Sequence, residues 1–179
     1  MNEKLHVEEM GRLDVTQFKA AEKLPLVLVL DHVRSLYNVG SMFRTSDAFR
    51  LQSLCLCGIT ATPPHVEIHK TALGAEEAVD WRYYDQTLSA VRALQQEGYV
   101  VMAIEQCRDA VMLTDFRIDR SRRYAFVLGN EVKGVDQQVV DACDGVIEIP
   151  QFGTKHSMNV SVTAGIVMWE VLRQWREMI

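Results

Sequence analysis

Residues 124–175 read YAFVLGNEVKGVDQQVVDACDGVIEIPQFGTKHSMNVSVTAGIVMWEVLRQW, and this stretch decides the predicted fold. Its apolar runs YAFVL and GVIEI have the length of buried strands, VDQQVVDAC is typical of a helix, and MNVSVTAGIVMWEVLRQW predicts a long C-terminal helix. A glycine-flanked loop follows the first strand, and a second polar loop follows the other. Because open α/β sheets bind ligands at the carboxyl ends of their strands, we expect both loops to contribute to a site.

The residues before this stretch continue the alternation of strands and helices. The predicted elements are buried strands PLVLVLD (25–31), LQSLCLCGI (51–59) and YVVMAIE (99–105), a short strand near 81–84 and a helix over 86–98. This order predicts an α/β fold with a mostly parallel sheet and helices on both faces. We expect residues 1–23 to form an N-terminal arm or helix, and residues 24–179 to form a single domain.

Some local interpretations depend on one or two residues. HVRSLYNVGS (32–41) is interpreted as a polar loop that leads into a helix capped by Asn38. Gly40 is expected to let the backbone approach a ligand. Asp85 is expected to cap the helix that follows it. Within an irregular segment, MLTDF (112–116) predicts a short helix.

The composition predicts a globular protein of the cytoplasm. Of the 179 residues, 48% are hydrophobic, and no apolar run reaches the roughly 18 residues of a membrane span. The first residues, MNEKLHVEEMGRLDV, lack the apolar core of a signal peptide. The four cysteines show no C-x-x-C spacing, so buried reduced thiols are predicted, with Cys55 and Cys57 on one face of a strand. The net charge of −5 argues against non-specific binding to nucleic acid.

Several common site motifs are absent from the sequence. The loop after Asp31 has neither the G-x-G-x-x-G of a dinucleotide site nor the G-x-x-x-x-G-K-[ST] of a P-loop. The G-x-S-x-G of many hydrolases is also missing. His65 and His69 are four residues apart but follow Pro63 and Pro64 directly, so no metal site is predicted.

Three polar loops carry the residues of interest. The first contains Asn38 and Gly40, with Arg44 further along; the second is LGNEVKG (128–134), and the third is GTKHSMNVS (153–161). Each loop alone is also typical of a capped helix or a solvated turn. Arg44 offers a planar donor fork suited to phosphate. The third loop leads into a helix N-terminus, which favours an anionic or polar ligand.

Together, N-x-G-x-x-x-R-T, LGNE-x-x-G and S-x-NVSV-x-AGI resemble, in this order, the three motifs of the SpoU (TrmH-like) branch of the SPOUT RNA methyltransferases. The resemblance covers roughly residues 25–175. It implies a deep trefoil knot in the C-terminal part of the α/β domain, binding of S-adenosylmethionine, and a homodimer with the site near the subunit interface. The implied reaction is methyl transfer to a ribose 2′-hydroxyl of tRNA or rRNA.

The resemblance also assigns roles to individual residues. The implied cofactor-binding residues are Leu128, Gly129, Asn130, Ile149, Ser157 and Met158. The implied catalytic residues are Asn38, Arg44, Glu131, Ser157 and Asn159. Because a guanidinium stays protonated in proteins, Arg44 is expected to grip a phosphate and orient the hydroxyl, and the proton acceptor is left unassigned.

RNA contacts are expected from basic residues in and around the loops. The candidates are Arg34, Arg50, Arg122, Arg123, Lys133 and Lys155. Only about two dozen residues precede the first predicted strand and the net charge is acidic, so either local patches or an accessory partner would recognise the RNA. The alternative is a non-catalytic RNA-binding or assembly factor that retains the fold. The N-x-G-x-x-x-R motif disfavours a base-methylating SPOUT enzyme.

Overall fold

A seven-stranded sheet organises the chain, and its neighbouring strands pair in parallel. The computed structural model describes residues 2–177, so Met1, Met178 and Ile179, at the ends of the predicted arm and domain, lie outside it. The strands are β1 (Leu24–Asp31), β2 (Leu51–Cys57), β3 (Trp81–Tyr84), β4 (Tyr99–Ile104), β5 (Val111–Met112), β6 (Arg123–Leu128) and β7 (Gly145–Glu148). The helices are a 3₁₀ turn (Val7–Met10), α1 (Val15–Ala20), α2 (Leu36–Ala48), α3 (Val66–Ala72), α4 (Ala75–Ala78), α5 (Thr87–Gln96), α6 (Gln137–Ala142) and α7 (Val160–Glu177).

The strand order is β3-β2-β1-β6-β4-β7-β5. The chain forms β1, β2 and β3 side by side, and β6 later enters between β1 and β4. In the same way β7 enters between β4 and β5. The carboxyl ends of β4, β6 and β7 are therefore neighbours near the point where the strand order reverses, which is where open α/β sheets bind ligands. The mostly parallel α/β sheet predicted from the sequence is confirmed, whereas the trefoil knot stays a prediction.

Strand β1 shows how the sheet is covered on both faces. Leu26, Leu28 and Leu30 belong to a core shared with helices α1–α4 and α7. Val27 and Val29 belong to a second core, shared with α5 and α6. Successive side chains of a strand point to opposite faces, so a continuous apolar run is what burial on both sides requires. Within residues 2–177, none of the helices is long and apolar enough to cross a membrane.

The cysteines follow the sequence prediction in β2. Cys55 and Cys57 are buried in the same core, and both are free thiols, as are the half-buried Cys107 and Cys143. Burial raises the pKa of the Cys55 thiol to about 11 and that of Cys143 to about 12. Both thiols are therefore protonated and unreactive at neutral pH.

Helix α2 corrects the interpretation of the first loop. It begins at Leu36, inside the segment 32–41 that was expected to be loop. The N-cap is Ser35 and not Asn38, because Ser35 Oγ accepts a hydrogen bond from the Asn38 backbone N–H at 3.3 Å. A serine at this position satisfies one of the free amides of the first turn. The Asn38 side chain is consequently left for other contacts.

Two further local predictions are wrong. The N-cap of α5 is Gln86, whose side chain makes no capping hydrogen bond, so Asp85 does not cap the helix. Residues 112–116 form no helix; instead Val111–Met112 is the edge strand β5, paired with β7, and turns follow it. A segment this short cannot nucleate a stable helix by itself, whereas pairing with β7 satisfies its backbone.

Gly40 contributes to helix packing and not to ligand approach. It is buried where α2 crosses α3, and a Cβ added there would collide with the Ile68 carbonyl oxygen and the Thr71 hydroxyl. The absence of a side chain therefore sets the distance between the two helices.

We expect Gly40→Ala to lower the free energy of unfolding by about 1–3 kcal/mol, the usual cost of overpacking a core. Urea denaturation followed by circular dichroism measures the change. Ser41→Ala, at the next position of the same helix and half-buried, is the control and should change stability by less than about 0.5 kcal/mol. Equal stability of Gly40→Ala and wild type would mean that α2 and α3 separate without cost.

Candidate active site

One chain of hydrogen bonds joins the three motif loops. Asn38 Nδ2 donates to Glu131 Oε1 at 3.0 Å, and Asn38 Oδ1 accepts from Asn159 Nδ2 at 3.1 Å. Asn38 lies in α2, Glu131 in the loop after β6, and Asn159 directly before α7. Residues 93 and 121 positions apart in the sequence are thus held in one network. All three were predicted as site residues, and the structure brings them together.

Glu131 also anchors the start of α2. Its Oε2 accepts the Arg34 backbone N–H at 2.9 Å, and its Oε1 accepts that of Ser35 at 3.0 Å. Burial raises the pKa of this carboxyl, but the hydrogen bonds from the backbone of Arg34 and Ser35, from its own N–H and from Asn38 outweigh burial and lower the pKa overall. The carboxylate is therefore ionised at neutral pH and complements the positive end of the helix.

Asn159 couples the last helix to the same network. Its Oδ1 accepts the backbone N–H of Ser161 at 2.9 Å and of Val162 at 3.3 Å, so it caps the start of α7. Ser161 Oγ donates to the same oxygen at 2.6 Å. Since the Asn159 amide nitrogen donates to Asn38, one side chain both caps α7 and holds it to α2. Ser157 is exposed and lies before this cap.

Asn130 shapes the loop after β6. Its Nδ2 donates to the His32 carbonyl at 2.9 Å, and its Oδ1 accepts the backbone N–H groups of Val132 and Lys133 at 2.8 and 3.1 Å. The Gly134 N–H donates to the Asn130 carbonyl at 2.9 Å and closes the turn. The loop that carries Glu131 is therefore held by hydrogen bonds within the loop and by one hydrogen bond to the residue that follows β1.

Two glycines let this loop fold back on itself. A Cβ on Gly129 would collide with the backbone of Gly134 and Val135, and Gly134 has a φ of +71°, which favours glycine. Glu105, which follows β4, packs against the turn, and its Oε2 accepts the Val135 N–H at 2.9 Å. Its Oε1 accepts the Gln106 N–H at 2.9 Å. Glu105 thus joins the ends of β4 and β6.

A cavity of about 490 Å³ opens where these loops meet. Its walls come from the carboxyl ends of β4, β6 and β7 and from the start of α7. The residues predicted to bind a cofactor all line it: Leu128, Gly129, Asn130, Ile149, Ser157 and Met158. Glu131 lines it as well. A concave site of this size, lined by both polar and apolar residues, has the dimensions of a small-molecule site.

The polar residues of the wall that were missed from the sequence include Glu105, Gln106, Gln137, Gln151 and Thr163. Gln106 Nε2 donates to the His156 carbonyl at 2.6 Å and so joins the loops after β4 and β7. Glu105 and Gln106 follow an apolar strand directly, which is the signal that identified the other loops. Within residues 2–177, no three His, Cys, Asp or Glu side chains lie close enough together to hold a metal ion.

Arg44 lies outside the cavity wall. It is exposed on α2, six residues and therefore about 9 Å along the helix axis from Asn38. Within the described part of the chain its guanidinium makes no hydrogen bond or ion pair. It is thus open to a group from outside this chain.

The basic residues predicted to bind RNA fall at the two ends of the sheet. Arg34, Lys133 and Lys155 are exposed in loops at the carboxyl ends of the strands, and Lys133 lines the cavity. The others stand at the amino ends of β2 and β6: Arg50, Arg122 and Arg123.

The arginines at the amino end of β6 have partners within the fold. Arg122 Nε lies 4.0 Å from a carboxylate oxygen of Asp119. The Arg123 guanidinium stacks over the Tyr99 ring, 4.4 Å from its centroid. These contacts orient both side chains along the protein surface.

The sequence model of the SpoU rRNA Methylase family matches residues 25–169. The chain belongs to this family. It is 30% identical over 169 residues to the 23S rRNA (guanosine-2′-O-)-methyltransferase RlmB of Vibrio parahaemolyticus, covering 93% of this chain and 66% of that protein. Three curated relatives are matched over 59% to 66% of their own length, so the chain spans less than two thirds of each.

Solved structures of RNA-modifying enzymes share the fold. The A. aeolicus TrmH/SpoU tRNA modifying enzyme superposes with a TM-score of 0.80 at 23% identity, covering 92% of this chain and 83% of that one. The AdoMet-bound rRNA methyltransferase from Sinorhizobium meliloti superposes with a TM-score of 0.76 at 25% identity, covering 85% of this chain and 60% of that one. The sheet that carries the cavity is therefore the sheet of SpoU proteins.

Glu131→Gln removes the charge and keeps the shape of the side chain. Because the pKa of Glu131 is lowered in the folded protein, its ionised form contributes stability above the ordinary pKa of 4.5 and loses it as the pH falls through the folded value. We expect Glu131→Gln to be less stable than wild type at pH 7, and the difference to shrink in acid below pH 4.5.

Urea denaturation at pH 7 and at pH 3 measures this difference. Glu77→Gln is the control, because Glu77 is exposed and its side chain makes no hydrogen bond within residues 2–177. A gap between Glu131→Gln and wild type that stays constant with pH would contradict the electrostatic role of the carboxylate.

Proposed function

We propose that the protein transfers a methyl group from S-adenosylmethionine to a ribose 2′-hydroxyl of tRNA or rRNA in the cytoplasm. The observation that carries the proposal is the hydrogen-bonded chain Glu131–Asn38–Asn159, which gathers three motif loops beside one cavity. The relatives support it. RlmB of V. parahaemolyticus is a 23S rRNA (guanosine-2′-O-)-methyltransferase, and the S. meliloti rRNA methyltransferase has AdoMet bound.

The cavity residues suit S-adenosylmethionine. The volume of about 490 Å³ falls in the range of roughly 300–1,000 Å³ that small-molecule sites occupy. Leu128, Ile149 and Met158 provide apolar surface for an adenine ring. Glu105 and Thr163 provide a carboxylate and a hydroxyl for the ribose and the charged amino-acid end. When bound, the cofactor would supply a methyl group on a positively charged sulfur that becomes neutral on transfer.

Arg44 would hold the RNA and not accept its proton. Transfer requires the 2′-oxygen in line with the methyl carbon, and the hydroxyl proton must leave. A guanidinium stays protonated, but its planar fork can bind a phosphate through two hydrogen bonds and so orient the adjacent ribose. Asn38, Glu131 and Asn159 would fix the RNA side of the site, and Ser157 would contact the cofactor. The proton acceptor stays unassigned.

The RNA would be bound by local basic patches. Arg34 and the two loop lysines, Lys133 and Lys155, would contact phosphates near the target ribose. The arginines at the other end of the sheet would reach only an RNA that extends along the protein. Phosphate contacts of this kind make affinity fall as salt rises. With a net charge of −5, an accessory RNA-binding partner is also compatible with the proposal.

A second copy of the chain would complete the site. On α7, Val162 and Trp169 are 54% and 55% exposed, and Gly165 between them has open space where a Cβ would stand. Their spacing puts them on one side of the helix. The neighbouring α2 carries Arg44, and Phe49, directly after α2, packs on α7 with its ring centroid 6.0 Å from that of Trp169. Val162, Gly165 and Trp169 form a surface stripe on α7. A two-fold contact through this stripe would bring Arg44 to the interface, where it can act at the partner's cavity.

The first test measures transfer of labelled methyl from S-adenosylmethionine to RNA from a strain that lacks the gene, followed by nucleoside analysis. We expect a 2′-O-methylated nucleoside. Arg44→Ala should reduce turnover by roughly 10²–10³-fold, the usual effect of removing one preorganised donor, and leave cofactor binding unchanged. Arg92→Ala, an exposed arginine on α5 without a hydrogen bond or ion pair in the described residues, is the control.

Other outcomes separate the alternatives. Cofactor binding without transfer to any RNA would indicate a missing partner or precursor. Neither binding nor transfer would favour a non-catalytic RNA-binding or assembly factor. Near-normal turnover of Arg44→Ala would show that Arg44 has no role in methyl transfer.

Val162→Asp tests the dimer, because a carboxylate in the stripe that the dimer would bury would oppose association. We expect analytical ultracentrifugation to show dimers for wild type and monomers for the variant, which should still bind the cofactor but lose methyl transfer. Val66→Asp, on α3 and 72% exposed, is the control and should stay dimeric. A wild-type monomer with full activity would rule out the second copy.

A mixture of two inactive variants tests whether Arg44 acts across the dimer. Gly129→Val should block the cavity by colliding with the Gly134 backbone, whereas Arg44→Ala leaves the cavity intact. If Arg44 serves the partner's cavity, mixed dimers contain one complete site and activity returns. If it serves its own cavity, the mixture stays inactive.

A further inference from the structure

Among the large apolar side chains whose exposure the structure describes, the two most exposed both stand on loops of the cavity. Phe152 is 96% exposed and Val132 is 74% exposed. Val132 lines the cavity, and Phe152 directly follows Gln151, which lines it as well. Single exposed apolar residues are common on proteins. A phenyl ring that is almost fully exposed at the rim of the candidate active site is nevertheless well placed to contact a ligand.

The loop that carries Phe152 is anchored to the fold. Ile149 packs against the main core before the loop, and Val160 is 7% exposed after it. Between them, the His156 carbonyl accepts the Gln106 side-chain amide at 2.6 Å. The ring is therefore held out by a tethered loop and is not part of a chain end.

The loop that carries the ring contributes basic and no acidic side chains. Residues 149–158 include Lys155 and His156 and contain no acidic residue. Lys133, beside Val132, is exposed on the other loop. The carboxylate of Glu131 on that loop already accepts hydrogen bonds from the start of α2 and from Asn38. An exposed aromatic ring with exposed lysines on the same loop and on the other cavity loop is a combination that binds unpaired nucleotides, because bases stack on the ring and the cations contact the phosphates.

We propose that Phe152 is a stacking surface for an unpaired RNA base next to the methylated nucleotide, with Lys133 and Lys155 contacting the flanking phosphates. This inference rests on the proposed function. A ribose that reaches the cavity brings its neighbouring nucleotides across the rim. Bases inside a duplex are already stacked and cannot lie on the ring, so the substrate class is single-stranded or loop RNA.

The test uses the full-length protein and a short unstructured oligoribonucleotide of mixed sequence, alone or annealed to its complement. Fluorescence anisotropy should show that Phe152→Ala binds the single strand about tenfold more weakly than wild type, the loss expected for one base–aromatic stack. Phe152→Trp should bind like wild type, and its added tryptophan fluorescence should be quenched by the single strand more than by the duplex. Val66→Ala, an exposed apolar residue on α3, should bind like wild type.

Three results would overturn the inference: equal affinity of Phe152→Ala and wild type, absence of quenching in Phe152→Trp, or no binding of the single strand by wild type. Dissociation of Phe152→Ala into monomers would assign the ring to the contact with a second copy instead. Cofactor binding and methyl transfer are measured on the same proteins. If wild type neither binds the cofactor nor transfers methyl groups, the proposed function is wrong. If the Phe152→Ala enzyme is active and its KM for RNA is unchanged, only the stacking role is wrong.

Discussion

The carboxylate of Glu131, held by two backbone amides at the start of α2, is the contact on which the site depends. The first turn of a helix has N–H groups without partners inside the helix, and a carboxylate is the side chain best suited to accept them. Glu131 lies at this end of α2, where it accepts the backbone N–H groups of Arg34 and of the N-cap Ser35 and also accepts from Asn38. Asn38 then has its oxygen free for Asn159, so one ionised group far along the chain determines how α2 and α7 meet the loop after β6.

The loop after β6 contacts the protein on two sides. On one side Glu131 reaches α2, and on the other Gly129 and Gly134 bend the backbone against Glu105 at the cavity. Asn130 binds the loop to the end of β1 between these two contacts. A loop of so few residues, fixed at both faces, cannot shift on the proposed RNA side without moving the cavity wall. The close sequence spacing of these residues therefore couples the cavity wall to the start of α2.

Much of this arrangement could be predicted because it depends on local pattern. The apolar run of β1 has the length of a strand, and because it is continuous it indicates burial on both faces. Polar loops that follow such strands lie at one end of a parallel sheet. The N-cap of α2 could not be predicted, since Ser35 and Asn38 are both good caps and the choice is made by Glu131. The role of Gly40 depends on where α3 crosses, and the edge strand Val111–Met112 depends on β7. Glu105 was missed because its loop lacks the glycines that drew attention to the others.

Net charge is a poor guide to what a ligand meets at this site. The sum of −5 counts every carboxylate equally, whereas a ligand responds mainly to charges that face it. At the carboxyl ends of the strands, several carboxylates accept hydrogen bonds from the backbone of the protein itself. Asp31 is 2% exposed and accepts the Asp136 N–H at 3.0 Å, and Glu105 accepts two backbone amides. These carboxylates are thereby partly neutralised by contacts within the protein, whereas Lys133 and Lys155 are exposed beside the cavity. An acidic chain can thus present a locally basic rim, because the interactions that build the site consume its negative charge.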